Sequence, residues 1–512
     1  MFSKILIANR GEIACRIVRA CRELGIRAAA VHSEADREAL HVRLADEAHP
    51  IGPASPAESY LNVERIVGAA IHCGADAVHP GYGFLSEQAP FAEACSEIGL
   101  VFIGPAPETL RAAGDKIASR AAAGEAGVPI IPGVAPPEGD AEAWSVESWR
   151  AEAGRLGYPV FVKAVGGGGG RGMRRADSPG EIEEAVASAR AEALAAFGDG
   201  GLYLEKMLSA ARHVEVQILG DGSGAAIHLG ERECSVQRRY QKVFEESPAP
   251  GLPPPLREEI LAAAVRLGER LNYRGAGTVE FLVGEGDEFY FLEINARLQV
   301  EHPVTEMTTG LDLVALQIQV AAEDRLPIAQ PQVRFNGHAA EARLYAEDPA
   351  RDFIPQGGNV RALDLPGGEG VRVDTGVATD SVVPTDYDPL LAKIIAWGED
   401  RPASLARLSG ALAALRLTGL RTNQSFLAAV AGHPAFRSGE LATDFIEQWE
   451  DELSGEILEE ETEDARIAAA LGVYLSAMSP PRAGRSEDRS DENERRSDPW
   501  SRPGGWIPGG AA

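Results

Sequence analysis

Lysine is scarce. The 512-residue chain holds six, Lys4, Lys116, Lys163, Lys206, Lys242 and Lys393, against 43 arginines. A composition tilted so far toward a planar fork keeps a compact point charge only where the fork would not serve, so the six positions are candidates for function. Basic charge is short overall: 49 Lys and Arg against 77 Asp and Glu give −28, a poor match for a nucleic-acid backbone, which needs basic stripes. The five cysteines, Cys15, Cys21, Cys73, Cys95 and Cys234, are odd in number and lack metal spacing; reduced thiols are expected, not a disulfide scaffold. No apolar run approaches the roughly 20 residues of a membrane helix. The opening MFSKILIANRGEIA enters a strand pattern with no basic-plus-apolar leader, so a cytoplasmic protein without membrane attachment is expected.

What is present points to several domains, since 512 residues exceed one ordinary core. Strand patterns at KILIANR, AAAVHS, ADAVHPG and GLVFIG alternate with helical ones such as GEIACRIVRACRELG. This is the signature of a parallel sheet wrapped by helices. The turn NRGEIA lacks the three-glycine dinucleotide fingerprint. A connector, IPGVAPPEGD, precedes PVFVKAV and the run GGGGGRGM, and a helix is expected from about Pro179 to Phe197, capped by Asp177 or Ser178. Residues 203–350 are strand-rich with many polar residues, and 351–450 mix turns, strands and an Ala/Leu-rich helix. The end of the chain, with SPPRAGRSEDRSDENERRSDPW, has too little apolar content to fold alone.

The glycine run lies between two strand patterns, which makes it a hairpin tip and not a linker. It lacks the Gly-Lys-Ser/Thr of a Walker A loop. A mobile lid remains, whose bare amides approach phosphate oxygens, with Lys163 beside it. In GTVEFLVGEGDEFYFLEIN, a two-residue loop at Gly286–Asp287 would set Glu280 directly opposite Glu293. Opposed carboxylates repel unless a cation lies between them, and magnesium bound to nucleotide phosphates fits. Downstream, Asn295, Arg297, Gln299 and Glu301 alternate along INARLQVEHP and are expected on one face, as an anion site with a base beside it.

These stretches, together with HPGYGFLSE, FIGP, GDK, RHVEVQ, CSVQRR and GHAAEARLYAEDP, closely resemble biotin carboxylase, the ATP-grasp subunit of biotin-dependent carboxylases such as acetyl- and propionyl-CoA carboxylase. The likeness runs from residue 1 to about 450. It implies an α/β and α+β multidomain chain: a Rossmann-like N-terminal domain over 1–115, an ATP-grasp domain over 116–330 with a mobile glycine-rich lid at about 135–207, and a biotin carboxylase C-terminal domain over 331–450; beyond it, composition predicts an acidic, largely disordered tail over 451–512 with one candidate short helix. Matching the family's nucleotide positions are Lys116, Lys163, Gly168, Gly169, Glu205, Lys206, His213, Gln237 and Glu280. Its metal ligands, for two Mg2+ or Mn2+, map to Glu280 and Glu293 with Asn295. Its bicarbonate and biotin positions map to Lys242, Arg297, Gln299, Val300, Glu301 and Arg343. The resemblance implies that ATP, bicarbonate and biotin meet here, with Glu301 as base, Arg297, Arg343 and Lys242 as the other catalytic groups, and a dimer as the usual assembly.

The chain departs from the family at Tyr240, where histidine is common. The family's biotin is carried on a lysine between methionines, and no lysine follows Lys393. A biotin carboxyl carrier protein and a carboxyltransferase on separate chains are therefore expected. The short helix pattern and Trp500 in the tail also look like small subunits that help assemble some acyl-CoA carboxylases. The alternative is an ATP-grasp ligase with a different acceptor, from which RLQVEHP and Arg343 distinguish it.

Overall fold

The computed structural model describes residues 1–137, 140–166, 172–208, 210–284 and 286–453. Most of the expected tail, its helix pattern and Trp500 lie outside these residues, as do Gly168 and Gly169.

The N-terminal segment forms a parallel sheet ordered Glu47–Gly52, Arg27–Ser33, Lys4–Ile7, Ala77–His79, Val101–Phe102. Strand Lys4–Ile7 is central, and Ile5, Leu6 and Ile7 are all inaccessible to solvent. A strand covered by helices on both faces reads as an unbroken apolar run, which is why KILI lacks alternation. Strand Glu47–Gly52 was not foreseen, because AHPIG carries a proline and little β-propensity; it sits on the sheet edge, where a missing N–H costs nothing.

A four-stranded antiparallel sheet follows, ordered Gly133–Val134, Leu202–Lys206, Val160–Ala164, Met173–Ala176. Val160–Ala164 pairs antiparallel with Met173–Ala176, with Lys163 opposite Met173. The glycine run thus joins two paired strands. Helix Ile182–Phe197 covers this sheet through Ile182, Ala185, Ala189 and Ala193. It starts three residues later than expected: Pro179 and Gly180 form a turn in which the Glu181 carboxylate accepts from the Asp177 N–H at 3.0 Å and from the Ser178 hydroxyl at 2.7 Å.

The largest sheet has eight antiparallel strands: Phe289–Asn295, Arg274–Val283, Arg212–Asp221, Ala226–Glu233, Phe244–Ser247, His338–Tyr345, Leu390–Gly398, Val371–Thr375. Its strands come from both sides of residue 330 without a break. One face of Arg212–Asp221 presents Val214, Val216 and Ile218 to helix Pro254–Arg270. The opposite face carries His213, Glu215 and Gln217, and these are buried as well. Alternation along the strand therefore separates an apolar core from a polar layer that must find partners internally. The N-terminal helix Gly11–Glu23 is fixed to this body by Arg16, which reaches Glu306 at 2.8 Å, while Arg372 meets the other oxygen of Glu306 at 2.7 Å. Among the described residues no helix is long and apolar enough to cross a membrane.

Candidate active site

The buried polar layer is built from a row of opposed residues. Register places Glu293 against Glu280, Glu280 against Glu215, and Glu215 against Arg232 across four neighbouring strands. Three carboxylates side by side, two of them in a dry layer, repel one another, so cations must meet them. Arg232, wholly buried, pairs with Glu215 and donates to Gln217 at 2.7 Å and to Thr278, Thr305 and Gln299 at 3.0 Å each. Lys242 donates to Glu215, to Glu280 at 2.8 Å and to Glu301 at 2.6 Å. His213 Nε2 lies 2.9 Å from the other oxygen of Glu280. Burial would push the Glu280 carboxyl up, but Lys242 and His213 hold it well below the usual range. Burial likewise works against the Lys242 ammonium, and its three glutamates outweigh that and raise it.

Glu293 stands apart. Its side chain is 26% exposed toward the cavity, and Lys116 Nζ approaches at 3.9 Å. Burial and the neighbouring charge of Glu280 raise its pKa against the pull of Lys116. A further cation would relieve that repulsion, so the donor set fits a divalent ion: two carboxylates on adjacent strands, with the amide oxygen of Asn295, whose Nδ2 donates to Glu280 at 2.9 Å, beside them. The more compact clusters, His213–Glu215–Glu280 and Glu215–Cys234–Glu301, are poorer candidates because Lys242 already occupies the space between their carboxylates.

The pairing of Glu280 with Glu293 arises differently from the two-residue loop. Gly284 N donates to Glu288 O at 2.8 Å, which leaves three residues in the turn, with Asp287 at φ 61°. Near the turn Phe281 faces Phe291, and an irregularity next to Glu280 and Phe281 then shifts the register by one. The loop and the bulge offset each other, and the two glutamates meet.

Beyond Asn295 the chain leaves the strand, yet its polar side chains converge. Arg297 donates to Asn295 Oδ1 at 3.1 Å and to Glu87 at 2.9 Å. Gln299 donates to Glu280 at 2.8 Å, while Leu298 turns into the core. Glu301 receives Arg343 at 3.0 Å besides Lys242. Burial opposes its ionisation, but Lys242, Arg343 and Arg232 hold its carboxyl far below the usual range. On the lid side, Lys163 is paired with Glu205, which also takes Arg120 at 2.7 Å. Lys116 begins helix Lys116–Glu125, whose cap Asp115 accepts from the N–H groups of Ile117 and Ala118 at 2.8 and 3.0 Å, while the Lys116 N–H meets the Val165 carbonyl at 3.3 Å. Lys206 is turned onto the Gly157 carbonyl at 2.6 Å, and Gln237 reaches His213 Nδ1 at 2.8 Å. Val300 gives its carbonyl to Lys393 at 2.9 Å.

One cavity of about 920 Å³ lies between the lid sheet and the large sheet. Every expected site residue within the described part of the chain lines it, and so do Glu87, Met173, Tyr240, Tyr345 and Glu447.

Family models match almost the whole described chain: the biotin carboxylase N-terminal domain over 1–110, the carbamoyl-phosphate synthase L chain ATP binding domain over 115–329, and the biotin carboxylase C-terminal domain over 341–448. A biotin carboxylase of Nostoc is 50% identical over 447 residues, 87% of this chain and 99% of that protein. The chain belongs to the biotin carboxylase family. The mitochondrial methylcrotonoyl-CoA carboxylase subunit alpha of Glycine max is 49% identical over 492 residues, 93% of this chain and 67% of that subunit. Among solved structures, the biotin carboxylase domain dimer of the Hydrogenobacter thermophilus 2-oxoglutarate carboxylase, in complex with MgADP, ADP and bicarbonate, has a TM-score of 0.84 and 42% identity, over 88% of this chain and 99% of that one.

Sequence reading did not single out Arg232, Arg120, Glu87 or Glu215 in this biotin carboxylase site. Each is charged and buried or engaged by a distant partner. Glu87 and Glu215 stand inside HPGYGFLSE and RHVEVQ, so the motifs held a signal for them. Arg232 and Arg120 carried none beyond composition.

Proposed function

We infer that this chain catalyses the ATP-dependent carboxylation of biotin with bicarbonate, the first half-reaction of a biotin-dependent carboxylase. The observation that carries this reading is the convergence of Lys242, Arg297, Glu301 and Arg343 beside the opposed pair Glu280 and Glu293 in one cavity. A phosphate site alone would serve many ligases; a base flanked by two arginines and a lysine next to it suits a small oxyanion and the ureido ring of biotin.

ATP enters between lid and sheet, with Lys116 and Lys163 toward its phosphates and Lys206, His213 and Gln237 on the nucleotide side. Glu280, Glu293 and Asn295 would hold magnesium, which supplies charge neutralisation at the phosphates. Bicarbonate binds among Arg297, Lys242, Gln299 and Val300. Glu301 takes its proton as the bicarbonate oxygen attacks the γ-phosphorus and ADP departs. The low affinity of Glu301 for protons reflects its grip on Lys242 and Arg343; as these cations turn to the incoming anions, the carboxylate becomes a stronger base. The resulting carboxyphosphate breaks to CO2 and phosphate, the phosphate removes the proton of the biotin ureido nitrogen, and that nitrogen bonds to CO2. Arg297 and Arg343 hold the anions with fixed forks. Closure of the lid keeps water from the intermediate.

The division into 1–115, 116–330, 331–450 and a tail is part of this reading. So are a cytoplasmic location, a homodimer, and a carrier protein and carboxyltransferase on separate chains. The test is ATP hydrolysis by the purified full chain. Stimulation by bicarbonate together with free biotin supports the reading; stimulation by a different acceptor, or by neither, overturns it.

A further inference from the structure

Behind Arg343 lies a second pair of opposed acids. Strand Phe244–Ser247 pairs with His338–Tyr345 so that Glu245 faces Glu341 directly, and both are wholly inaccessible to solvent. Glu245 Oε1 accepts from Arg343 Nε at 2.6 Å. Glu245 Oε2 and both oxygens of Glu341 have no hydrogen-bond partner among the described residues. Arg343 stands two residues beyond Glu341, on the same face of the strand, and its far end reaches Glu301. Lys393 opposes Arg343 from strand Leu390–Gly398, but its ammonium is committed to Val300 O at 2.9 Å and Glu12 at 3.2 Å. The charged and titratable groups around the pair are therefore Arg343 and Tyr345 on the same strand, Lys393 on the next, the buried Cys234 thiol, and Lys242 and Glu301 above.

Two ionised carboxylates facing each other in this dry layer, one of them without any cation in contact, would be strongly unfavourable. A single shared proton resolves the repulsion, since one acid then donates to the other. We propose that Glu341 holds this proton and hydrogen-bonds Glu245, so that Glu341 is a positioning residue: it keeps one negative charge behind Arg343 and thereby fixes the guanidinium between Glu245 and Glu301. Burial, as the larger cause, and Glu245 push the Glu341 carboxyl well above the usual range despite Lys393 and Arg343. For Glu245 burial is opposed by Arg343, which leaves it at about 7. Glu245 is the member that titrates near neutrality, and its proton would loosen the rear anchor of Arg343.

The inference rests on the proposed role of Arg343 only for its kinetic arm. Infrared spectra of the full chain at pH 8 test the proton itself: the wild type minus Glu341→Gln should show loss of a protonated-carboxyl band, and absence of that difference overturns the proposal whatever the enzyme does. In the kinetic arm, the acidic limb of kcat/KM for bicarbonate should lie near pH 7 in the wild type. Glu341→Met, which cannot donate to Glu245, should move it up by about one pH unit, because a lost hydrogen bond to the charged form raises a pKa. Glu341→Gln, whose amide donates, should keep it at or below the wild-type value. Identical limbs in all three proteins refute the positioning role. If Glu341→Met does not fold, the infrared difference and the limb of Glu341→Gln decide, and a Gln variant with its limb raised counts against the proposal.

Discussion

Replacing Lys242 by methionine removes the one ammonium that touches Glu215, Glu280 and Glu301 together. Its side chain is 11% exposed, so water replaces little of the lost charge. Each glutamate retains one polar or cationic neighbour: Arg232 for Glu215, the His213 ring for Glu280 and Arg343 for Glu301. The loss is therefore closer to one broken buried pair than to three, about 3–5 kcal/mol. The pH dependence has a definite sign. Glu280 and Glu301 are held below the ordinary carboxylate range, so their stabilisation is present above the unfolded value of about 4.3 and fades as pH falls toward the folded values. The variant has less of this to lose, and the gap between wild type and Lys242→Met should narrow below about pH 5. Equilibrium urea unfolding of the full chain at pH 8 and at pH 5 or lower measures both effects. A loss under about 1 kcal/mol at pH 8, or a gap that widens in acid, would refute the view that one lysine holds the row of carboxylates together. Activity in the same variant should fall by about 10²–10³, the cost of one lost charge-stabilising donor.

Glu301→Gln should leave the KM for ATP unchanged and lower bicarbonate-dependent phosphate release by about 10²–10⁴, the range for a lost general base; normal turnover would remove Glu301 from that role. Arg297→Lys should reduce carboxylation of free biotin by at least about tenfold, because a point charge cannot span Glu87, Asn295 and a bound anion as a fork does; a wild-type rate in a radiolabelled bicarbonate assay contradicts this. Tyr240 sits at φ 65° and is 53% exposed at the cavity. Histidine tolerates this left-handed backbone better than tyrosine, so Tyr240→His should lower the KM for ATP by about two- to tenfold, the worth of one hydrogen bond; an unchanged or higher KM counts against Tyr240 facing the nucleotide.

The parallel N-terminal sheet and the lid hairpin were legible because strand length and helix period are local signals. The scarcity of lysine was informative too: Lys116, Lys163, Lys206 and Lys242 all line the cavity, while Lys393 serves Val300 and Glu12 beneath it. The opposition of Glu280 and Glu293 followed from a loop length that differs from the observed one, and a compensating bulge made the outcome the same. Bulges depend on strand packing far from the turn, so no two-residue count can foresee them. The partners of Arg232, Arg120 and Arg343 were illegible for a related reason. Their contacts join residues 11 to 98 positions apart, and a lone arginine in a strand or helix looks the same whether it ends in water or among glutamates. The eight-stranded sheet, which draws strands from both sides of residue 330, arises from the single pairing of Phe244–Ser247 with His338–Tyr345, which no local pattern announces.

The central claim is that Glu293 and Glu280, facing each other at the cavity, grip a divalent ion under the nucleotide. Crystals of the full chain grown with Mn2+ and a non-hydrolysable ATP analogue, measured for anomalous scattering, test it directly. The account predicts an anomalous peak coordinated by both carboxylates and by phosphate oxygens. Bound nucleotide with no metal at these two side chains would contradict it.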